Sequence, residues 1–257
     1  MQVKVTNQYG QYTTYTLNGA GVALVNVAGL NPPNARISSS TIATKDGSIV
    51  TNEQANNRNI VLMFAITGRD AERQRTGLYY YFKIKEPVSL EIKTATRTAT
   101  IDGYVESIQA NPFDRKQQIQ ISIICPNPYF LGSEETTNVS YPSGNVVTLS
   151  DTSHGAVFTV TCLDAITGGF VIGNTLTGES FCVNGDYVSG DVVTIDTRQG
   201  QKGITLTHNG STSNILSRMN STVHDWLQLL PWQNNGITLS TNKISAVVRF
   251  QTHYEGV

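Results

Sequence analysis

The chain has 257 residues, 14% of them charged, and a formal net charge of −1. At about 150 residues per domain the length points to two folded units, and the near-neutral balance supplies no general attraction to nucleic acid or to an anionic membrane. The charged fraction lies well below the roughly 25% usual in soluble proteins, so Asn, Ser, Thr and Gln must cover much of the surface.

The opening MQVKVTNQYG has no apolar core of the length a signal peptide needs, and no run of about 18 apolar residues occurs anywhere. The expectation is a protein made in a cytosol without membrane insertion. Cys125, Cys162 and Cys182 are an odd number with no CxxC pair, which predicts reduced thiols and no zinc site. The sequons at Asn138, Asn209 and Asn220 then carry no weight, because glycosylation requires secretion.

In chain order, MQVKVT, QYTTYTL, GVALVNV, ARISSSTIA and RNIVLMFAITG are short β-branched runs. Asn18-Gly19 and Asp46-Gly47 punctuate them, as tight hairpin turns require. Ile60 to Ile66 is continuously apolar and reads as a core strand. RDAERQRTGLYYYFKIKEP breaks the pattern: Asp70 caps a predicted helix whose later turns carry Leu78, Tyr79, Phe82 and Ile84, and Pro87 forbids its continuation. Arg69, Arg73 and Arg75, with Lys83 and Lys85 beyond, give it a basic side, either a solvated face or a patch for an acidic partner.

VSLEIKT, RTATIDGYVESIQA and RKQQIQISIIC follow as strands, with a turn predicted at Asn111-Pro112-Phe113-Asp114. In Gln118 to Ile123, Ile alternates with polar residues, the mark of a strand with one face on a core. Pro126 and Pro128 then remove ladder donors, so CPNPYFLG ends the sheet. Cys125 is expected as a buried strand end, and Gly132, Ser133, Glu134 and Glu135 as a linker.

NVVTLS, AVFTVTCL, GGFVIGNTL, ESFCVNG, DVVTIDT, KGITLTHNG, GITLST and ISAVVRFQTHY are short strands spaced as in a jelly-roll or galectin-like sandwich. The long segment between the sixth and seventh is apolar at Ile215, Leu216, Met219, Trp226, Leu227, Leu229 and Leu230. It is expected to cross and plug the end of the sandwich.

Catalytic patterns are weak. His224 and Asp225 are chain neighbours, poorly placed as a base and its orienter, and no Gly-x-Ser-x-Gly elbow exists. The four histidines, His154, His208, His224 and His253, are scattered without metal-ligand spacing. No carboxylate pair, phosphate-cradling loop or cofactor motif emerges. Trp226 and Trp232 are candidate sugar-stacking residues beside Asn234 and Asn235; the alternative is that the indoles cover the sandwich end and the asparagines form a turn.

RNIVLMFAITG, GLYYYFKIK, RTATIDGYVESIQ, QQIQISIICPNPYF, GDVVTIDTRQGQKGITL and WLQLLPWQNNGITLS together resemble the distal tail proteins of tailed bacteriophages. The similarity runs from about Arg58 to Phe130 and from Gly190 to Tyr254. Its most specific part is Gly103 to Glu106, then Ile119 to Cys125 and Pro128-Tyr129.

The resemblance implies a mainly β protomer: an N-terminal tail-tube-like β-barrel or sandwich with one α-helix over residues 1–130, and a C-terminal galectin-like (jelly-roll) β-sandwich over 131–257. Six copies would close a ring through the first part and join the tail tube to the hub or tail-associated protein. The ring would meet the tape measure and support receptor-binding or baseplate proteins, with DNA only as cargo in the channel. It would be assembled in the host cytoplasm and reside at the virion tail tip. No catalytic, metal or cofactor residue is implied, and Arg69, Arg73 and Arg75 are candidate contacts between subunits or with the tube. A polar, weakly charged surface suits such burial, because few ions are desolvated. The alternatives are a carbohydrate-binding protein using Trp226 or Trp232, and, more remotely, a hydrolase using His224.

Overall fold

The computed structural model describes residues 1–43, 46–67, 70–111, 117–220 and 226–257. They form two compact units, Met1–Gly132 with Tyr254–Val257, and Ser133–His253. The architecture is mainly β, with antiparallel sheets and one α-helix among the described residues. The predicted turn over 111–114 lies largely outside the described residues, as do Arg69, His224 and Asp225.

In the first unit the elements are β1 (Gln2–Asn7), β2 (Tyr12–Thr16), β3 (Val22–Ala28), β4 (Ala35–Thr41), β5 (Ser48–Ala55), β6 (Arg58–Ile66), α1 (Ala71–Tyr81), β7 (Pro87–Lys93), β8 (Thr98–Ala110) and β9 (Gln118–Cys125). The sheet runs β2-β1-β7-β8-β9-β6-β3. Its end strands β2 and β3 approach each other, so the sheet curls round its core. The core follows from period-two alternation. Ile60, Leu62 and Phe64 of β6 pair with Ile123, Ile121 and Ile119 of β9, and all six side chains are fully buried. Tyr15, Phe64 and Phe82 form an aromatic cluster with centroids 4.8 to 6.4 Å apart.

The helix ends at Tyr81, short of the predicted reach to Ile84. Phe82 is buried just beyond it, whereas Ile84 is 46% exposed. A second difference is β5, SIVTNEQA, which no periodic pattern announces because it is exposed on both faces. A third concerns Gly132 to Glu135: they are not a linker but lie within β10 (Phe130–Ser140). Ser133 to Thr136 are exposed, which hides the strand from a pattern search.

Tyr254 to Val257 return to complete the first unit. The backbone N–H of Val257 donates to Leu30 O at 3.2 Å. Arg97 donates to Gly256 O at 2.7 Å while its guanidinium carbon lies 4.4 Å from the Tyr254 ring centroid. Arg58, itself buried, donates to the carbonyls of Gly29 and Asn31 at 2.5 Å and of Pro128 and Glu255 at 2.6 Å. Its guanidinium carbon lies 4.4 Å from the Phe130 ring centroid. Four carbonyls from three separate stretches of chain thus share one cation, which offsets the cost of burying it.

The second unit contains most of β10, then β11 (Ser143–Val147), β12 (Val157–Cys162), β13 (Phe170–Asn174), β14 (Ser180–Val183), β15 (Val192–Asp196), β16 (Gly203–His208), β17 (Ser211–Asn214), β18 (Asn234–Leu239) and β19 (Ile244–Tyr254). One sheet runs β17-β16-β15-β12-β19-β10 and the other β11-β18-β13-β14. Phe158, Val160 and Ile195 of the first share a core with Phe170, Ile172 and Ile237 of the second, making a two-sheet sandwich. Ile215, Leu227 and Leu229 of the long segment are buried in that core, while Leu216 stays exposed.

Candidate functional site

Helix α1 starts where the Asp70 side chain accepts the Arg73 N–H at 3.3 Å, which satisfies one of the helix's unpaired donors. Leu78 is its buried residue. Asp70, Glu72, Arg73, Thr76, Gly77 and Tyr80 line a shallow, open groove along the helix. Arg73 lines this groove, whereas Arg75 donates to the Gln117 side chain at 3.2 Å. Arg73 and Arg75 therefore serve different surroundings, and Arg69 lies outside the described residues. The Tyr80 hydroxyl bonds the Gln11 side chain, and Lys83 lies 5.0 Å from the Tyr9 ring centroid.

Strands β4 and β5 form a separate two-stranded ribbon. Every residue of the two strands except Ser38 is exposed. Ile37 is opposite Glu53 and Ser39 opposite Val50, after a register shift at Ser38/Ser39. This pairing puts Ile37, Val50 and Glu53 on one face. In the sequence, ARISSSTIA and Asp46-Gly47 mark the ribbon's first strand and a turn, but no pattern announces β5 or the groove, because both are wet surfaces without a buried stripe.

The two tryptophans of the second unit differ. Trp226 packs edge-on against Phe181 with centroids 5.3 Å apart, and Lys202 lies 5.7 Å from its ring. Trp232 is 60% exposed and sits at φ +55°, a left-handed conformation uncommon for a bulky residue. Asn235 is buried, accepting from Asn174 Nδ2 at 3.0 Å and Leu230 N at 2.8 Å and donating to carbonyls of Val146, Leu230 and Gln233. Its amide is committed to holding the chain, so of the two asparagines only Asn234 is exposed.

Groups able to do chemistry are held in closed arrangements. Cys125 is buried at the end of β9, and burial pushes its thiol up to about 12, which removes thiolate character. His208 Nδ1 meets Asp191 Oδ1 at 2.6 Å, a dyad the sequence pattern does not announce, but Nε2 meets Asn209 Nδ2 at 3.0 Å. Both ring nitrogens are engaged. Burial tends to raise the Asp191 carboxyl, but the Val188 N–H and His208 outweigh it and hold it below its ordinary range. His154 donates from Nδ1 to Gly155 O at 3.0 Å, meets Thr148 Oγ1 through Nε2 at 3.1 Å, and lies tilted against His253 with centroids 4.8 Å apart. Among the described residues no three His, Cys, Asp or Glu side chains come together as a metal site.

No protein-family model matches the chain, and no curated protein matches it. Solved structures do. The Dit protein of phage SPP1, described as a paradigm of the hub adsorption apparatus in phages infecting Gram-positive bacteria, is 16% identical with a TM-score of 0.72, over 97% of this chain and 98% of that one. A chain of the phage P2 baseplate in its activated, calcium-containing conformation is 11% identical with a TM-score of 0.49, over 96% and 97%. The first similarity establishes a shared fold along nearly the whole chain.

Proposed function

We propose that this protein is a structural component of a bacteriophage tail tip, a distal tail protein whose first unit closes a six-membered ring. The ring joins the tail tube to the hub or tail-associated protein, and the second unit offers a surface to receptor-binding or baseplate proteins. The observation that carries this reading is the end-to-end fold similarity to a hub adsorption protein, which includes both units. The closed hydrogen bonding of His208 and Asp191 and the inert Cys125 agree with a role in assembly rather than bond making.

Native mass spectrometry of the full chain, with negative-stain imaging, tests the proposal. Six-fold rings are expected; a monomer at all accessible concentrations would overturn it. Trp232 favours one second reading, sugar binding through its exposed indole. A glycan screen that quenches Trp fluorescence in the wild-type chain but not in Trp232→Ala would support that reading.

A further inference from the structure

We propose that the outer edge of β11 is a strand-docking site, where an extended, uncharged segment of another tail-tip protein joins the four-stranded sheet as a further strand. The inference rests on the reading that the second unit offers a surface to such proteins, and it names the surface and the form of the partner.

The chain closes one edge of this sheet itself. Beside β14, the Asn184 N–H donates to Arg218 O at 2.9 Å and the Asn220 N–H to Cys182 O at 3.0 Å, so residues 218–220 cover that side. At the opposite end, among the described residues, β11 pairs only with β18. Pro142 O accepts from the Leu239 N–H at 2.9 Å, and Thr148 O from the Trp232 N–H at 3.1 Å. Peptide groups alternate in direction along an antiparallel strand, so the even-numbered residues face β18 while Ser143, Asn145 and Val147 aim their N–H and C=O groups away from it. Sheet edges are usually blunted by charge, proline or a bulge. Residues 143–150, SGNVVTLS, carry no charge and no proline, and β11 pairs with β18 without a register shift.

Side chains along the edge specify what the added strand carries. Val147 is 55% and Leu149 54% exposed; both project from the solvent side, because Val146 and Thr148 are buried. Trp232 is tied to this strand by its bond to Thr148 O, and the Asn235 amide holds the backbone of Leu230 and Gln233 on either side of it. A residue fixed in this way loses little freedom on binding. The open main-chain groups select a strand, and Val147, Leu149 and Trp232 select apolar side chains at alternate positions along it.

Hydrogen exchange of the full chain with a capped peptide of the sequence SGNVVTLS, used as an uncharged strand, tests the site. The Ser143, Asn145 and Val147 amides should gain protection, and the same peptide with both valines replaced by lysine should not bind. Val147→Asp and Trp232→Asn should each weaken binding by about tenfold or more while melting as wild type does, because both side chains are exposed. Absent protection, or equal binding by Val147→Asp, would overturn the docking site even if six-fold rings uphold the tail-tip reading. Protection without rings would support the docking site and overturn that reading. A two-fold species of the wild-type chain that Val147→Asp dissolves would make the occupant a second copy and overturn the proposal.

Discussion

Arg58 donates to the backbone carbonyl of Glu255 at 2.6 Å, across 197 positions of sequence. The same guanidinium holds Pro128 O, just before β10 begins, so one side chain grips the chain where it leaves the first unit and where it returns. Lysine has neither the fork nor the donors to reach four carbonyls. Arg58→Lys is expected to cost about 3 kcal/mol, read as a lower urea midpoint; an unchanged midpoint would show that the clamp contributes nothing.

The His154–His253 pair sets an acid limit. Burial, and then His154 beside it, pull His253 down to about 4 from an ordinary value of 6.5. A depressed folded value means that stability is fully present above pH 6.5 and is lost as the pH falls toward 4. The loss should approach about 3 kcal/mol. His253→Gln should flatten the pH profile of the melting temperature over that window, and a slope equal to wild type would refute the assignment.

Gly103 lies in β8 against β9. A Cβ there would stand 2.7 Å from Ile123 Cγ2 and 2.8 Å from both Cys125 Sγ and Ile124 O. Gly103→Ala should destabilise the protein by about 2 kcal/mol through overpacking. Calorimetry on the purified variant measures it, with no shift as the contrary result.

Trp226 and Trp232 should respond differently to substitution. Trp226→Ala removes packing against Phe181 and should cost about 2 kcal/mol. Trp232→Asn places a residue tolerant of positive φ at an exposed site, and should change stability by less than about 0.5 kcal/mol. Equal losses at both positions would contradict the assignment of Trp226 to the core and Trp232 to the surface.

Cores are legible in the sequence because burial leaves a period. Ile119, Ile121 and Ile123 point inward from a strand that alternates with polar residues, and all three are buried. Asp70 caps α1 as its position before the helix predicts. By contrast, β5 and the middle of β10 are wet on both sides, so no alternation marks them. Arg58 reads as an ordinary strand-end cation because its partners are carbonyls far apart in sequence. Arg73 and Arg75 look equivalent in a string, yet two residues along a helix turn the side chain to another side, one toward the groove and one toward Gln117.

The return of Tyr254 to Val257 into the first unit has a consequence for synthesis. A ribosome makes most of that unit first but delivers its final pieces only after the whole second unit has emerged. Until Glu255 arrives, Arg58 lacks one of its acceptors and the loop at Leu30 lacks the Val257 N–H. A chain that stops before Glu255 therefore leaves Arg58 short of an acceptor in the unit proposed to build the ring.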